Sequence, residues 1–361
     1  MLYYLLFPLR TQVSVFNVIQ YITFRTAVAA LTAFVISLVM GPWMIRTLRG
    51  FQIGQVVRDD GPVTHRSKAG TPTMGGLLIL AAAIVPTLLW VELTNPYVWI
   101  AMLSTVAFGL IGFLDDYLMV VRQTHQGLRP RYKLIGQVIV ATAVGLALVW
   151  LSREGLYNTK LIFPFFKQFT PDLGWWYVPF VVLVLVFSSN AVNLTDGLDG
   201  LAVSIFTVAA AAFTALVYIT GHAIFAEYLL LESFSPAAEL TVFCGALVGA
   251  GLGFLWYNSY PAELFMGDVG SLALGGALGT VAILIKQELL LPIVGAVFVI
   301  EAFSVIIQVG AFKLTGRRVF RMAPLHHHCE LSGWSEPKVI SRFLIAAVVF
   351  ACFSLATLKL R

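Results

Sequence analysis

Charged residues are scarce in this sequence. Only 11% of its 361 residues are Asp, Glu, Lys or Arg, whereas 59% are hydrophobic. A soluble globular domain has about 25% charged residues, so the composition excludes a cytosolic enzyme. The formal net charge of +5 does not indicate a nucleic-acid partner, because basic residues in a membrane protein are informative through the loops that contain them. We expect an integral membrane protein that binds no nucleic acid.

Cysteine is also scarce, and the sequence lacks segments in which apolar and polar residues alternate. Cys244 and Cys352 lie in apolar runs and Cys329 lies in a basic loop, so disulfides are not expected. Continuous apolar runs such as 77–89 argue against a β-barrel, whose strands alternate apolar and polar residues. Residues 1–21 lack a basic n-region and a small-residue cleavage site, so we expect an interfacial segment before the first span.

Long apolar runs are the main feature that is present. A helix needs about 20 residues to cross a hydrocarbon core of about 30 Å, so 361 residues suit one polytopic domain, residues 1–361. The runs predict an all-α polytopic membrane protein with ten transmembrane helices. The predicted spans are 24–44, 73–92, 97–117, 134–152, 175–193, 199–219, 239–257, 263–284, 289–310 and 338–358.

Basic residues concentrate in three of the predicted loops. Thirteen of the 23 Lys and Arg residues lie in 45–72, 118–133 and 311–337, which the positive-inside rule makes cytoplasmic. An even number of spans then places both termini outside, in the periplasm. Seven of the eight aspartates lie on the cytoplasmic side and only Asp172 lies outside. Short carboxylates at one membrane surface indicate a metal or phosphate site at the cytoplasmic face.

Two adjacent carboxylates, Asp115 and Asp116, end the third predicted span in the sequence GFLDDY. Neighbouring side chains on a regular helix point about 100° apart, so the two are not expected to bind one small ion together. One is expected to act in the site and the other to support it. The alternative is that the pair marks the membrane boundary.

Four polar residues recur every three positions in NAVNLTDGLDG: Asn190, Asn193, Asp196 and Asp199. At this spacing they would line one side of a helical stretch, which an apolar span does not need for its structure. We therefore predict that they bind a ligand. The alternative for either aspartate is a capping role at the start of the next span.

Glycines flank Asp268 in the sequence FMGDVGS, with Asn258 a short distance upstream. Glycines on both sides expose the carboxylate and the neighbouring backbone N–H groups. This environment suits a diphosphate bound through Mg²⁺, since Mg²⁺ takes one or two carboxylates together with phosphate oxygens. The alternative is a simple helix N-cap.

Three consecutive histidines, His326, His327 and His328, precede Cys329 in a cytoplasmic loop. Adjacent side chains cannot converge tetrahedrally and the usual zinc-ligand spacing is missing, so zinc is the less favoured interpretation. We expect imidazoles placed beside a phosphate site.

A second cytoplasmic segment, 59–76, carries Lys68 ahead of a turn rich in Gly and Thr that includes Thr73. It is predicted to contact phosphate, with an ordinary positive-inside loop as the alternative. Together these segments favour phosphoryl transfer from a soluble diphosphate to a lipid acceptor. A secondary transporter is the rival class, but transporters place their polar groups near the midplane of the membrane.

Five motifs carry a resemblance to a known family. The chain resembles the phospho-N-acetylmuramoyl-pentapeptide transferase family of the polyprenyl-phosphate N-acetylhexosamine-1-phosphate transferase superfamily over nearly its whole length. The last of the motifs favours this family over relatives that act on other UDP-amino sugars, which stay as the alternative. The motifs are KAGTPTMGG (68–76), FLDDY (113–117), NAVNLTDGLDGLA (190–202), FMGDVGS (265–271) and PLHHHCELSGWSE (324–336).

The resemblance implies that UDP-N-acetylmuramoyl-pentapeptide gives its phosphosugar to undecaprenyl phosphate, with release of UMP and formation of lipid I for peptidoglycan. It implies Mg²⁺ as the cofactor, a multi-pass protein of the bacterial cytoplasmic (inner) membrane, a homodimer and a bent ninth helix. Whether the phosphosugar moves in one displacement or through a phospho-enzyme is left open.

The resemblance also implies roles for individual residues. Asp268 is the implied magnesium ligand, Asp115 the residue that acts on the lipid phosphate, Asp199 and Phe265 the residues that hold uracil, and the histidines the contacts of the diphosphate-sugar region. The predicted catalytic residues are Asp115, Asp116, Lys133 and Asp268. The predicted substrate-binding residues are Lys68, Thr73, Asn190, Asn193, Asp196, Asp199, Asn258, Phe265, His326, His327 and His328.

Overall fold

The computed structural model describes residues 1–50, 70–122, 127–164, 166, 169–229 and 234–359. Lys68 lies outside the described residues. Those residues form fourteen α-helices, and an isolated antiparallel bridge joins Lys160 to Asp172. The helices are α1 (Leu2–Leu6), α2 (Ile22–Gly50), α3 (Gly76–Trp90), α4 (Pro96–Arg122), α5 (Pro130–Arg153), α6 (Tyr177–Thr195), α7 (Leu201–Gly221), α8 (Ala223–Tyr228), α9 (Leu240–Asn258), α10 (Gly267–Leu284), α11 (Leu291–Val294), α12 (Ala296–Thr315), α13 (Leu325–Leu331) and α14 (Glu336–Thr357).

Nine helical segments in the described part of the chain are long and apolar enough to cross a membrane. The prediction of an all-helical, polytopic membrane protein is therefore confirmed. α3 is apolar as well, but its 15 residues make it shorter than the predicted span 73–92. At its start the N–H groups of Gly75 and Gly76 donate to the carbonyl oxygens of Phe265 and Met266, each at 2.8 Å.

The predicted span 289–310 is divided in two. α11 ends at Val294, α12 begins at Ala296, and Gly295 lies between them. α12 then continues to Thr315, beyond the predicted end of the span. The last turns of this helix therefore reach the region that the sequence assigns to a basic loop.

α10 is the most enclosed of the spanning helices. Within its span 89% of the residues are buried, compared with 28% for α12 and 22% for α14. α3, α4 and α6 pack around it, and α6 comes especially close at Gly275, where a Cβ atom would lie 2.5 Å from the carbonyl oxygen of Ser188. Small residues allow such close packing of helices in a membrane. A helix held on several sides therefore carries Asp268 at its start.

Five of the predicted site residues gather at one end of this bundle. Asp115 and Asp116 lie near the end of α4 and Asn193 lies near the end of α6, whereas Lys133 and Asp268 lie near the starts of α5 and α10. Helices that run in opposite directions place these termini at the same face. The fold therefore brings together side chains that are far apart in the sequence.

Candidate active site

Carboxylates from two helices meet at this end of the bundle. One oxygen from each of Asp115, Asp116 and Asp268 lies within 4.8 Å of the other two. α4 carries the adjacent pair and α10 carries the third. The start of α10 packs against this turn of α4, so both side chains of the adjacent pair offer an oxygen to the cluster. The expectation that the pair does not bind one ion together stays a prediction.

Gly112 allows α4 and α10 to approach each other closely. A Cβ atom at this position would lie 2.1 Å from the carbonyl oxygen of Asp268, which is too short for a non-bonded contact. Gly112 lies one helical turn before Asp116, so both residues lie on the face of α4 that meets α10. The absence of a side chain at Gly112 therefore sets how near the three carboxylates lie.

Asp116 closes the N-terminal end of α10. Its Oδ1 accepts the backbone N–H of Asp268 at 3.1 Å, and its Oδ2 accepts that of Val269 at 3.2 Å. The first N–H groups of a helix have no partner within the helix and favour a negative charge, so this carboxylate stabilises the helix start. Gly267 has a φ of +71°, and a Cβ there would lie 2.4 Å from Asp116 Oδ2. Asp116 is thus the cap, and Asp268 lies inside the helix with its carboxylate free for other contacts.

Lys133 brings a positive charge to the cluster from the start of α5. Its Nζ donates to Oδ2 of Asp268 and lies 3.9 Å from Oδ2 of Asp115. These three side chains are between 10% and 21% exposed, so solvent reaches them only partly. With all groups ionised, three carboxylates and one ammonium leave a net negative charge, which favours a further cation at this place.

The segment that precedes α5 covers Asp115. Its Oδ1 accepts the backbone N–H of Leu128 at 2.7 Å, and a Cβ at Gly127 would lie 2.6 Å from the same oxygen. The glycine therefore lets the backbone lie directly on the carboxylate. Oδ1 is occupied in this way, whereas Oδ2 lies 3.9 Å from the Nζ of Lys133.

Asn193 holds Asp268 from a third helix. Its Nδ2 donates to Oδ1 of Asp268 at 2.7 Å and to Oγ of Ser271 at 2.8 Å. Lys133 and Asn193 therefore contact different oxygens of the same carboxylate. Ser271 was not among the predicted residues, although it lies three positions after Asp268 and so shares its helix face.

A fully buried amide, Gln137, orients Asn190. Nδ2 of Asn190 donates to Oε1 of Gln137 at 2.7 Å, and Nε2 of Gln137 donates back at 3.4 Å. Gln137 was not among the predicted residues. Its position four residues after Lys133, on the same face of α5, is the signal that points to it.

The predicted row of four polar residues on one helix face does not continue past Asn193. α6 ends at Thr195, so Asp196 and Asp199 leave the helix face that carries the two asparagines. Asp199 is buried, and its Oδ2 accepts the N–H of Ala262 at 3.0 Å. Burial, with the nearby charges of Asp268 and Asp199, raises the pKa of Asp196 to about 8. The helix end therefore gives these two aspartates different surroundings.

Asn258 joins two loops beside the cluster. Its Oδ1 accepts the N–H of Gly200 at 3.0 Å, and its Nδ2 donates to the carbonyl oxygen of Leu264 at 2.9 Å. Both contacts are to backbone, so the amide fixes the loop that leads to the half-buried Phe265. Thr73 lies across from this loop, with its Oγ1 3.0 Å from where a Cβ on Gly267 would stand.

The three histidines on α13 have different polar partners. His326 is fully buried beside Glu301, with its Nδ1 3.3 Å from Oε2 of that residue. Nδ1 of His327 lies 2.9 Å from Oε2 of Glu330. Nδ1 of His328 accepts the backbone N–H of Arg321 at 3.1 Å. The rings of His326 and His327 lie with their centroids 4.2 Å apart, whereas the ring of His328 contacts Phe320.

Two models of known protein families match the chain, one for a glycosyl transferase family and one for a signature of a single transferase. The profile of glycosyl transferase family 4 matches residues 98–286, which include Asp115, Lys133, Asn193 and Asp268. The signature described as phospho-N-acetylmuramoyl-pentapeptide-transferase signature 1 matches residues 68–80, which include Thr73. The first match covers the carboxylate cluster and the second the segment that pairs with the start of α10.

Full-length relatives agree with these matches. Proteins named phospho-N-acetylmuramoyl-pentapeptide-transferase are 58% identical in Koribacter versatilis over 379 aligned residues and 59% identical in Desulfatibacillum aliphaticivorans over 365. A protein of the same name in Pelobacter propionicus is 55% identical over 361 residues, and each alignment covers 100% of both chains. With its carboxylate cluster and its apolar bundle, the chain belongs to the phospho-N-acetylmuramoyl-pentapeptide-transferase family.

Proposed function

We propose that this protein transfers phospho-N-acetylmuramoyl-pentapeptide from its UDP-linked form to undecaprenyl phosphate in a magnesium-dependent reaction, releasing UMP and forming lipid I for peptidoglycan. Full-length relatives that are 53–59% identical carry the name of this transferase. The observation that supports the proposal best is the cluster of Asp115, Asp116, Asp268 and Lys133 at one end of an apolar bundle. A soluble donor and a lipid acceptor can both reach such a position.

The carboxylate cluster fits Mg²⁺ in its chemistry. Mg²⁺ prefers oxygen ligands and is held by one or two carboxylates together with phosphate oxygens. Asp268 is the proposed ligand, and Asp115 and Asp116 each offer an oxygen within 4.8 Å of it. When bound, Mg²⁺ would neutralise the negative charge on the diphosphate oxygens.

The side chains around the cluster have separate proposed roles. Lys133 places its ammonium group against Asp268 and near Asp115, where it would also attract a phosphate. Asp115 would act on the lipid phosphate through Oδ2, because Leu128 already donates to its Oδ1. Asp116 would position Asp268 through the backbone at the start of α10, and Asn193 would position the same carboxylate directly.

The remaining predicted residues would form the binding surface for the UDP-linked donor. Asn190 and Asp196 lie along and just after α6, and the half-buried Phe265 offers a ring for the uracil base. Asp199 and Asn258 support this surface, because both hold the loop between α9 and α10 through backbone contacts. Lys68 and the three histidines would contact phosphate and sugar groups of the donor.

We further propose that the chain is one domain of ten spans, with α3 as the shortest, in the bacterial inner membrane. Both termini would lie in the periplasm and the site would face the cytoplasm. The support is that basic residues such as Arg122 and Arg131 lie at the same helix ends as the carboxylate cluster. The homodimer implied by the family resemblance belongs to this proposal too.

The test is an assay on the purified protein in detergent with undecaprenyl phosphate. UMP release is measured with UDP-N-acetylmuramoyl-pentapeptide and with other UDP-N-acetylhexosamines, with Mg²⁺ or with EDTA. We expect UMP release only with the pentapeptide donor and Mg²⁺. Asp268→Asn should lose activity, whereas Asp172→Asn should keep it, because Asp172 lies in the bridge with Lys160. Equal release from another UDP-sugar, or full activity in EDTA, would contradict the proposal.

A further inference from the structure

We infer that Glu301 is a positioning residue for the transfer reaction, acting through His326. The inference rests on the proposed function. Glu301 lies within the spanning helix α12, and both it and His326 are fully buried. A glutamate inside an apolar span is costly unless it is paired, and such residues usually mark a functional site.

Glu301 contacts His326 twice. Its Oε1 accepts the backbone N–H of His326 at 3.2 Å, and its Oε2 lies 3.3 Å from the imidazole Nδ1. The first contact supplies a partner for an N–H in the first turn of α13, which no side chain of that helix caps. One carboxylate therefore fixes both the start of the helix and the ring that it carries.

The second contact is a charge contact at 3.3 Å without the angles of a hydrogen bond, and it favours a proton on the imidazole Nδ1. A carboxylate oxygen only accepts hydrogen bonds, so Nδ1 must carry a proton for the contact to be favourable. In the neutral ring the proton is then absent from Nε2. An acceptor of this kind orients histidine in many active sites, where the partner residue sets the tautomer without touching the substrate.

The other nitrogen faces the turn that follows α6. A Cβ at Gly197 would lie 2.3 Å from Nε2 of His326, so only glycine lets the ring lie there. Gly197 follows Asp196 directly, and four residues before it Asn193 donates to Asp268. Within the described residues both imidazole nitrogens are buried, and neither has a hydrogen-bond partner. This nitrogen therefore lies against the turn that follows α6, next to Asp196.

The variant Glu301→Gln tests the role with little change in volume. Its amide oxygen can still accept the backbone N–H of His326, but its NH₂ group can only donate to Nδ1 and so favours the other tautomer. We expect kcat to fall by about 10- to 100-fold, the usual effect of changing such a partner, with KM changed less than about threefold. Glu288→Gln is the matched control, because Glu288 is another buried carboxylate, in the segment after α10 and away from the site, and should keep wild-type kcat for the folded protein.

Two measurements separate positioning from a general loss of structure. In a His326→Ala background, Glu301→Gln should cause no further loss of kcat, because the residue through which it acts is gone. Selective ¹⁵N-histidine NMR should show a protonated Nδ1 for His326 in the wild type and an unprotonated one in Glu301→Gln. The inference would be overturned if the losses of kcat in the two single variants multiplied in the double variant. Unchanged kcat in Glu301→Gln, or the same ¹⁵N shifts in wild type and Glu301→Gln, would also overturn it.

The NMR arm does not depend on the identity of the substrate. If the wild type released no UMP from the UDP-linked pentapeptide, the proposed function would fail. The tautomer measurement would still decide whether Glu301 sets the proton on His326. The two failures are therefore distinguishable in one set of samples.

Discussion

Asp116 accepts the backbone N–H of Asp268, so one acidic residue of the candidate site fixes the position of another. The contact is made to main chain, which leaves the Asp268 carboxylate to Lys133 and Asn193. Adjacent aspartates in the sequence thus have unequal surroundings. Asp116 stabilises the start of α10, whereas Asp115 keeps one oxygen directed at the cluster.

Replacing the two main aspartates should give different dependence on pH. The second pKa of a phosphate monoester is about 6, so a lipid phosphate acceptor is mostly ionised at neutral pH and needs a general base less as pH rises. We expect activity lost in Asp115→Asn to recover partly between about pH 7 and 9, whereas Asp268→Asn stays inactive because the diphosphate charge must be neutralised at every pH. The measurement is a pH–rate profile of both variants at saturating Mg²⁺. A flat loss in Asp115→Asn would instead favour a nucleophile or a second metal ligand.

Adding one methyl group to α4 should disturb the site. In Gly112→Ala the new carbon would meet the backbone of Asp268, and overpacking of this kind costs typically about 1–3 kcal/mol. We expect a lower Tm and a strong loss of UMP release. Gly310→Ala is the control, since nothing lies within 4 Å of a Cβ at Gly310 in α12, and it should leave both quantities near wild type. Wild-type activity in Gly112→Ala would show that α4 and α10 need not be so close.

Asp196 should lower the stability of the folded protein as pH rises. Its pKa is raised from 3.8 to about 8, so the folded state binds a proton over this interval that the unfolded state has released. Stability contributed by the protonated carboxyl is therefore complete below about pH 4 and is lost as pH rises toward 8. In EDTA, we expect the Tm of Asp196→Asn minus the Tm of the wild type to increase between pH 5 and pH 8. A constant difference in Tm across this range would contradict the raised pKa.

The orientation of the chain can be measured by cysteine labelling. In a background without Cys329 and Cys352, cysteines placed at Arg122 and Arg318 should react with a membrane-impermeant reagent only from the cytoplasm. A cysteine at Asp172 should react from outside intact cells. Labelling of Arg122→Cys from outside would reverse the topology and move the candidate site to the other face.

Most of the fold could be predicted from the sequence, and the structure brings Asp115, Asp116, Lys133 and Asp268 together, while their roles stay predictions. Apolar runs located the helices, because the requirement for about 20 apolar residues per span is strong. The partners of Asp115 and Asn190 could not be predicted in the same way. Leu128 acts through its backbone, and Gln137 through an amide inside an apolar helix, so neither has a motif of its own.

The helix end at Thr195 is a second limit of the sequence reasoning. A spacing of three residues predicts one face only while the helix continues, and α6 stops before Asp196 and Asp199. Asp199 then turns to the N–H of Ala262, a contact across 63 positions that no local pattern encodes. The expected roles of these residues in binding stay predictions.

The enclosure of α10 has a consequence for motion during turnover. With 89% of its span buried, α10 cannot shift without disturbing several neighbours at once, whereas α12 and α14 are 28% and 22% buried and face few protein partners. Motions that admit a lipid tail should therefore occur in α12 and α14, while α10, which carries Asp268, stays in place. Amide hydrogen exchange should accordingly be slowest along α10. A lipid substrate would approach the rigid site from the side of the less buried helices.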